Sequence, residues 1–286
     1  GMVRAAAERA TITRLGEGVD RTRRLAPAAV ARTVQCLEAY AREVHELGAE
    51  RVAVVGTSAM RDAADGEVLR ERVRSLFGVE ARVLGGDEEA LLTFRGAMSG
   101  LPLDGDRHLA IFDIGGGSTE VVIGRMQHGD PRIDFATSYD VGGVRLTERL
   151  ITHDPPSREE TDALVETARS TFACVPPMPN SNHPVGVAGT MTTLAAVFLG
   201  LGTYDGERVH GTLMQVTDLR RVVQQLASLK LDARRVVRGM EPMRADVIVA
   251  GGLLALALLD HWGAAAVRIS DRGVRWGLAE ELLLES

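Results

Sequence analysis

Three consecutive glycines followed by a serine, a threonine and an acid form the stretch of this chain best suited to chemistry. They occur in "IFDIGGGSTEVVIG" (residues 111–124), where an apolar run lies on each side. Glycines let successive backbone N–H groups approach a ligand closely, and such groups form an anion-binding nest. We therefore expect Gly115, Gly116, Gly117 and Ser118 to bind phosphate.

The alternative to a phosphate loop at this place is an ordinary hairpin turn. A two-residue turn needs only one or two glycines, so three glycines plus Ser118 and Thr119 exceed what a turn requires. No lysine follows the glycines, so the segment is not a P-loop, and a strand follows them, so it is not a dinucleotide fingerprint. The flanking acids Asp113 and Glu120 could hold a Mg²⁺ ion through carboxylate oxygens.

A second candidate lies in "GGDEEALLTFRGA" (85–97), where Glu88 and Glu89 fall in the first turn of a predicted helix. Acids at this position commonly complement the helix dipole, which stabilises a helix by about 0.3–1 kcal/mol. A glutamate in a cleft could instead act as the general base for a water that attacks phosphorus. The spacing alone leaves both interpretations open.

Hydroxyls and an arginine directly follow another predicted strand, in "VVGTSAMRDA" (54–63). In open α/β sheets the carboxyl ends of the strands line the ligand crevice. Thr57, Ser58 and Arg61 would suit phosphate oxygens at such a place. It is equally consistent with the sequence that Thr57 or Ser58 only caps the next helix.

A third junction of strand, turn and helix occurs in "GVAGTMTTLAAV" (186–197). The backbone N–H groups at the start of the helix could bind an anion next to Gly189 and Thr190. A plain capping role for Thr190 is the alternative.

The order of predicted elements indicates an α/β protein. Helices alternate with strands in the first hundred residues, which predicts parallel strands. In this part we expect strands at "ERATITRL" (8–15), 51–56 and 80–84, and helices at 27–47, 67–77 and 88–100. The pattern then changes, because "LAIFDI" and "TEVVIGRM" are separated by little more than glycines and therefore predict an antiparallel hairpin, with "RIDFATSYD" as a third strand.

The turn-rich segment "LPLDGDRH" (101–108) is the candidate domain boundary. We expect a first domain over residues 1–103 and a second over residues 104–273. The last predicted helix, residues 274–286, could pack on the first domain.

Composition excludes several classes of function. A net charge of −6 and 4% aromatic residues argue against nucleic-acid binding. The longest apolar run, Val247–Leu259, is shorter than the roughly 20 residues of a membrane span. Cys36 and Cys174 are expected as buried small hydrophobes in a reducing cytoplasm.

Taken in order, these segments resemble the exopolyphosphatase and guanosine pentaphosphate phosphohydrolase family of the actin-like superfamily, in its short two-lobed form. The stretches that carry the resemblance are "RLGEGVD", "GTSAMRDA", "GGDEEALLTFRGA", "IFDIGGGSTEVVIG", "VGGVRLTERL", "GVAGTMTTLAAV" and "ISDRGVRWGL". The resemblance implies a ribonuclease H-like ATPase fold with two α/β lobes, and a homodimer.

The resemblance also implies an activity: hydrolysis of terminal phosphate from inorganic polyphosphate or of the 5′-γ-phosphate of guanosine pentaphosphate, with Mg²⁺. Glu89 would be the general base, and Asp113 and Glu120 would serve metal and phosphate. A polyphosphate- or nucleotide-binding relative without activity is the alternative from another class. Members of the family begin with a loop of the type Asp-x-Gly-(Thr/Ser)-Asn-(Ser/Thr), and this motif does not occur in the 286 residues. We therefore expect a first lobe without its leading hairpin and an impaired phosphate cradle.

Overall fold

The computed structural model describes residues 5–101, 108–127, 130–178 and 183–284. The chain divides into two compact units, one of Gly1–Glu89 with Leu278–Ser286 and one of Ala90–Gly277, here called unit 1 and unit 2. The boundary predicted after residue 103 lies outside the described residues, so the domains 1–103 and 104–273 stay a prediction.

Unit 1 is built on a short parallel sheet with helices around it. Its elements in chain order are α1 (Val19–Thr22), α2 (Pro27–Glu46), β1 (Val54–Gly56), α3 (Ser58–Asp62), α4 (Glu67–Phe77), β2 (Ala81–Val83) and the first turn of α5 (Gly86–Met98). β1 and β2 pair in parallel, as the alternation of helices and strands predicts. A proline at the first position of α2 and the left-handed Gly78 after α4 (φ 69°) set the helix ends.

The predicted strand at residues 8–15 is wrong. The described part of this segment has no regular secondary structure, and Arg14 adopts a left-handed conformation with φ of 55° that interrupts an extended chain. Side chains of α2 hold the segment instead: the Arg32 Nε donates to the Thr13 carbonyl at 2.9 Å, and the Thr11 and Tyr40 hydroxyls lie 2.9 Å apart. Alternation of apolar and polar residues does not make a strand where α2 rather than another strand supplies the hydrogen bonds.

Unit 2 contains a six-stranded mixed sheet in the order β5-β4-β3-β6-β8-β7. Its elements are the rest of α5, then β3 (Leu109–Ile114), β4 (Thr119–Gln127), β5 (Asp130–Tyr139), α6 (Gly143–Leu150), α7 (Arg158–Phe172), β6 (Val185–Val187), α8 (Ala188–Phe198), α9 (Gly206–Val209), β7 (Leu213–Gln215), α10 (Val216–Ala227), α11 (Leu231–Arg235), a 3₁₀ turn (Pro242–Arg244), α12 (Ile248–His261), β8 (Ala266–Ile269) and the start of α13 (Val274–Leu284). The predicted hairpin of β3 and β4 and the third strand β5 are confirmed as antiparallel neighbours.

Both faces of this sheet are buried. Phe112 and Ile114 point into the larger core, which also contains residues of α7, α8, α10 and α12. Ile111 and Val122 lie on the opposite face, in a core that includes Phe94 of α5. Burial on both faces explains why the strands read as nearly continuous apolar runs.

The apolar run predicted as a buried helix is α12, whose residues from Ile248 to Leu259 are buried apart from the partly buried Leu253. Among the helices that the structure describes, none is long and apolar enough to cross a membrane.

The prediction that both cysteines are buried is wrong. Cys36 is partly buried and Cys174 is exposed, and both are free thiols. Cys174 follows the end of α7, where its sulfur lies 3.7 Å from the Tyr139 hydroxyl.

Candidate active site

The glycine loop joins β3 to β4 and is fixed from two sides. The Gly115 N–H donates to the Ser118 carbonyl at 3.0 Å, which closes the turn. The Gly115 carbonyl accepts from the Gly143 N–H at 2.9 Å, and the Gly116 carbonyl accepts from the N–H groups of Val144 and Arg145 at 2.9 and 3.0 Å. The start of α6 therefore holds the carbonyl groups of the loop.

The backbone N–H groups that follow Gly115 in the loop are the candidate anion-binding groups. Within residues 5–101, 108–127, 130–178 and 183–284, the N–H groups of Gly116, Gly117 and Ser118 have no hydrogen-bond acceptor. Three successive N–H groups without an internal partner are the arrangement that an anion nest requires. The loop is therefore both a hairpin turn and a candidate phosphate cradle.

Two acids and a serine form a row across the sheet beside this loop. Asp113 lies directly opposite Glu120 in the pairing of β3 with β4, and Glu120 lies opposite Ser138 of β5. Directly paired residues share a face of the sheet, here the face of Ile111. The Ser138 hydroxyl donates to the Glu120 Oε1 at 2.8 Å, although the Glu120 side chain is buried. Sequence reasoning missed Ser138, whose contact depends on the register of β5.

The donor set of this row fits Mg²⁺. Among the described residues, no group of three or more His, Cys, Asp or Glu side chains lies close enough to hold a metal. Mg²⁺ commonly takes only one or two carboxylates and completes its shell with water and substrate phosphate. Asp113 and Glu120 supply those two carboxylates, and their role as metal ligands stays a prediction.

The turn after β6 lies next to the glycine loop, because β6 and β3 are parallel neighbours with Val187 opposite Asp113. Thr190 is the third residue of α8 rather than its cap, and its hydroxyl donates to the Ile114 carbonyl at 2.8 Å. The predicted alternative, a capping role for Thr190, is therefore wrong. The bond ties the turn at Gly189 to the residue that precedes the glycine loop.

Arg244 completes this part of the site, and sequence reasoning did not identify it. A methyl group on Gly189 would lie 2.0 Å from the Arg244 Cζ, so the guanidinium lies directly against the Gly189 backbone. Burial lowers the pKa of Arg244, while the nearby charges of Glu241 and Asp113 act in the opposite direction. An arginine at this place can pair with a carboxylate or with phosphate oxygens.

In unit 1 the structure brings two of the predicted residues into direct contact. The Arg61 Nη1 lies 2.5 Å from the Glu89 Oε2 and also donates to the Leu84 carbonyl at 2.8 Å. Glu89 is buried with 8% of its surface exposed, whereas Glu88 forms an ion pair with Arg82 at 3.3 Å on the surface. The two adjacent glutamates therefore have different environments, and the role of Glu89 as general base stays a prediction.

The remaining residues of unit 1 lie at the carboxyl end of β1. Thr57 is the cap residue of α3 but its side chain makes no capping hydrogen bond, and Ser58 is the first residue of that helix. The capping interpretation is thus not supported for Thr57. Within the described residues, the hydrogen bond between Thr57 and Arg61 is the backbone one from the Arg61 N–H to the Thr57 carbonyl, and the role of Thr57 and Ser58 in phosphate binding stays a prediction.

Arg272, the first of two arginines in the segment "ISDRGVRWGL", has a structural role. The Arg272 Nη1 donates to the Ser99 carbonyl at 3.0 Å, and its guanidinium lies 4.0 Å from the centre of the Trp276 ring. Arg272 therefore connects the end of α5 to the start of α13.

The parallel sheet of unit 1 and the mixed sheet of unit 2, with turns that carry glycines and hydroxyls at their strand ends, define an α/β protein of the actin-like ATPase fold. Residues 2–286 match the Ppx/GppA phosphatase family. The chain belongs to this family, as the resemblance in its sequence implies.

Curated relatives and solved structures agree with this assignment. The chain is 36% identical over 283 residues to "Exopolyphosphatase 2" of Mycobacterium tuberculosis, covering 95% of this chain and 87% of the relative. It is 25% identical to "Guanosine-5′-triphosphate,3′-diphosphate pyrophosphatase" of Photobacterium profundum, covering 99% of this chain and 55% of the relative. The crystal structure of the Aquifex aeolicus Ppx/GppA family member superposes with a TM-score of 0.80 at 31% identity, covering 96% of this chain and 88% of that one.

Proposed function

We propose that the protein is an exopolyphosphatase, which releases the terminal phosphate of inorganic polyphosphate by hydrolysis of a phosphoanhydride bond. The observation that carries this proposal is the glycine loop, whose three successive N–H groups have no acceptor within the described residues. Backbone N–H groups that are already oriented stabilise an oxyanion without reorganisation during the reaction. In this proposal Gly116, Gly117 and Ser118 donate these N–H groups to the terminal phosphate, and Gly115 closes the turn beside it.

Positive charge at the neighbouring turn supports phosphate binding. The Arg244 guanidinium lies against Gly189, at the carboxyl end of the strand next to the glycine loop. The net charge of the chain is −6, so attraction of a polyanion depends on such local groups. Gly189 and Thr190 form the second phosphate-binding turn in this proposal.

Mg²⁺ is the proposed cofactor, and Asp113 and Glu120 are its proposed ligands. When bound, the ion neutralises charge on the phosphate oxygens. The carboxylate of Glu120 is held for this role by the Ser138 hydroxyl at 2.8 Å. Asp113 lies directly opposite Glu120 on the same face of the sheet, which places the two proposed ligands on neighbouring strands at the glycine loop.

Glu89 is the proposed general base, which accepts the proton of the attacking water. Its carboxylate contacts Arg61, and this contact keeps it in one orientation. Thr57 and Ser58, at the carboxyl end of β1, are proposed to donate hydrogen bonds to phosphate oxygens.

Guanosine pentaphosphate is the second candidate substrate. The similarity to a guanosine-5′-triphosphate,3′-diphosphate pyrophosphatase supports it, but at 25% identity against 36% for the exopolyphosphatase. Because the identity to the exopolyphosphatase is higher, we propose polyphosphate as the substrate. We further propose a cytoplasmic homodimer, for which the two free cysteines agree with a reducing compartment.

The direct test is release of inorganic phosphate from the purified protein. Polyphosphate and guanosine pentaphosphate are compared at equal concentrations of terminal phosphate, with Mg²⁺ and with excess EDTA. The proposal predicts release from polyphosphate that EDTA abolishes and that exceeds release from guanosine pentaphosphate. Binding of polyphosphate without release of phosphate would instead identify a binding protein, and light scattering on a sizing column tests the dimer.

A further inference from the structure

The first backbone N–H groups of α6 form hydrogen bonds with the glycine loop. The first N–H groups of a helix have no partner within the helix and often bind anions. Here the N–H groups of Gly143, Val144 and Arg145 all donate to carbonyls of the glycine loop, at 2.9 to 3.0 Å. The helix end is therefore occupied by the loop and not by a ligand.

These bonds determine which way the loop amides face. In a trans peptide group the C=O and the following N–H point in opposite directions. The Gly115 carbonyl and the Gly116 N–H belong to one peptide group, and the Gly116 carbonyl and the Gly117 N–H belong to the next. Because both carbonyls face α6, the N–H groups of Gly116 and Gly117 face away from it, towards the side where a phosphate can bind.

Gly142 allows α6 to come this close. A methyl group on Gly142 would lie 2.4 Å from the Gly116 carbonyl oxygen and 2.7 Å from the Gly117 carbonyl carbon. Its backbone is extended, with φ −152° and ψ 168°, a conformation that alanine adopts without strain. The requirement for glycine therefore comes from the contact with the loop and not from the backbone conformation.

We propose that Gly142 and the first N–H groups of α6 are positioning elements, which orient the amides of the phosphate loop. The inference rests on the proposed phosphate-binding function of that loop. It assigns a role to "VGG" (141–143), a segment for which the reaction itself gives none.

The test uses three substitutions in the full chain. Gly143→Pro removes the N–H that bonds the Gly115 carbonyl, yet proline suits the first position of a helix and the extended Gly142 suits the residue before proline. Gly143→Ala is the matched control, because it keeps the N–H and adds the same Cβ, 3.3 Å from the Val247 carbonyl oxygen. Gly142→Ala tests the close contact independently.

The measurement is the affinity for inorganic tripolyphosphate by calorimetry in EDTA, with thermal melting followed for each variant. We expect Gly142→Ala and Gly143→Pro to bind at least about tenfold more weakly, the scale of one lost hydrogen bond to a charged group. Gly143→Ala is expected within about twofold of the unchanged chain, and the melting temperatures of Gly143→Pro and Gly143→Ala should agree within a few degrees.

Equal affinity of all four proteins would overturn the inference, even if the unchanged chain hydrolyses polyphosphate. If Gly142→Ala does not fold, the inference is tested by comparing the tripolyphosphate affinity of Gly143→Pro with that of Gly143→Ala. If the unchanged chain binds tripolyphosphate but releases no phosphate from polyphosphate, the proposed hydrolase activity is wrong. The affinities of the three variants relative to the unchanged chain still test the inference about α6. No binding by the unchanged chain contradicts both.

Discussion

The Arg61 guanidinium and the Glu89 carboxylate form an ion pair with 2.5 Å between Nη1 and Oε2. The residue proposed to accept a proton and a residue predicted to bind phosphate thus contact one another in unit 1. Arg61 also donates to the Leu84 carbonyl, so the arginine is fixed at two points. Its proposed contribution is to hold Glu89 in place as well as to bind phosphate.

The first prediction concerns the two adjacent glutamates. Glu89→Gln should lower turnover about 10²- to 10⁴-fold, the usual contribution of a general base. Glu88→Gln is the matched control, since Glu88 lies at the surface in an ion pair with Arg82, and its turnover should stay within about twofold of the unchanged chain. Phosphate release under saturating polyphosphate measures both. If the turnover of Glu89→Gln stays within about tenfold of that of the unchanged chain, Glu89 is not the general base.

Gly189→Ala should displace Arg244 without loss of fold. The new methyl would lie 2.0 Å from the Arg244 Cζ, at the end of a flexible side chain that can move, and alanine is favourable in a helix. We expect KM for polyphosphate to rise about tenfold, the scale of one lost charge-assisted hydrogen bond. Gly273→Ala, where a methyl meets nothing within 4 Å, is the control.

A double mutant then separates displacement of Arg244 from other effects of the methyl. If Gly189→Ala acts through Arg244, adding Arg244→Met should change KM little further, because the two residues share one interaction. Fully additive effects in steady-state kinetics would argue that Gly189→Ala acts in another way.

Replacement of the buried Arg234 should cost much stability. Its guanidinium is almost fully buried and donates to the carbonyls of Leu226, Leu229 and Ala245 at 2.8 to 2.9 Å. Arg234→Leu would leave these carbonyls without that donor, at about 1–3 kcal/mol for each that stays unsatisfied. We expect a loss of about 3 kcal/mol or more in the free energy of unfolding by urea.

The neighbouring residue provides the control for Arg234. Arg235 is exposed and, within the described part of the chain, its ion pair is with Asp232, three residues earlier in α11, so Arg235→Leu should change the free energy of unfolding by less than about 1 kcal/mol. Equal losses for the two variants would show that the three hydrogen bonds of Arg234 contribute little.

The fourth prediction concerns the pH dependence of stability at the start of α7. Hydrogen bonds from Thr152, His153 and Ser157 hold the pKa of Glu160 well below its usual range. A carboxyl with a lowered folded pKa stabilises the fold above its unfolded pKa of about 4.3, and this stabilisation is lost as the pH falls below that value. Glu160→Gln should therefore lower the melting temperature at pH 7, and by less as the pH falls towards 3. A difference that stays constant over that range would contradict the assignment.

The sequence predicted the central elements of the site because they depend on local pattern. Two apolar runs separated by glycines determine a hairpin, and its register then places Asp113 opposite Glu120. The first turn of α5 follows equally from the acids after Gly86. Short elements escaped prediction: α9 and α11 have four and five residues, too few for a periodic pattern to be visible.

Contacts between distant parts of the chain could not be predicted. Arg244 reaches Gly189 and Thr190 bonds the Ile114 carbonyl only because β6 and α12 are placed beside β3 by the fold. The sequence of each segment is compatible with a plain structural role. The difference between Glu88 and Glu89 likewise depends on which of them is buried, and the first turn of a helix does not determine that.

The pairing of Asp113 with Glu120 also restricts how the length of the glycine loop can vary during evolution or protein engineering. Side chains alternate between the two faces of a strand, so a slip of β4 by one residue would move Glu120 to the face of Phe112 and bring Thr119 or Val121 beside Asp113. An insertion or deletion of one residue in the loop must therefore be absorbed as a bulge, or the pair of acids is lost. Changes of two residues keep the face and are the ones that a library of loop lengths should sample.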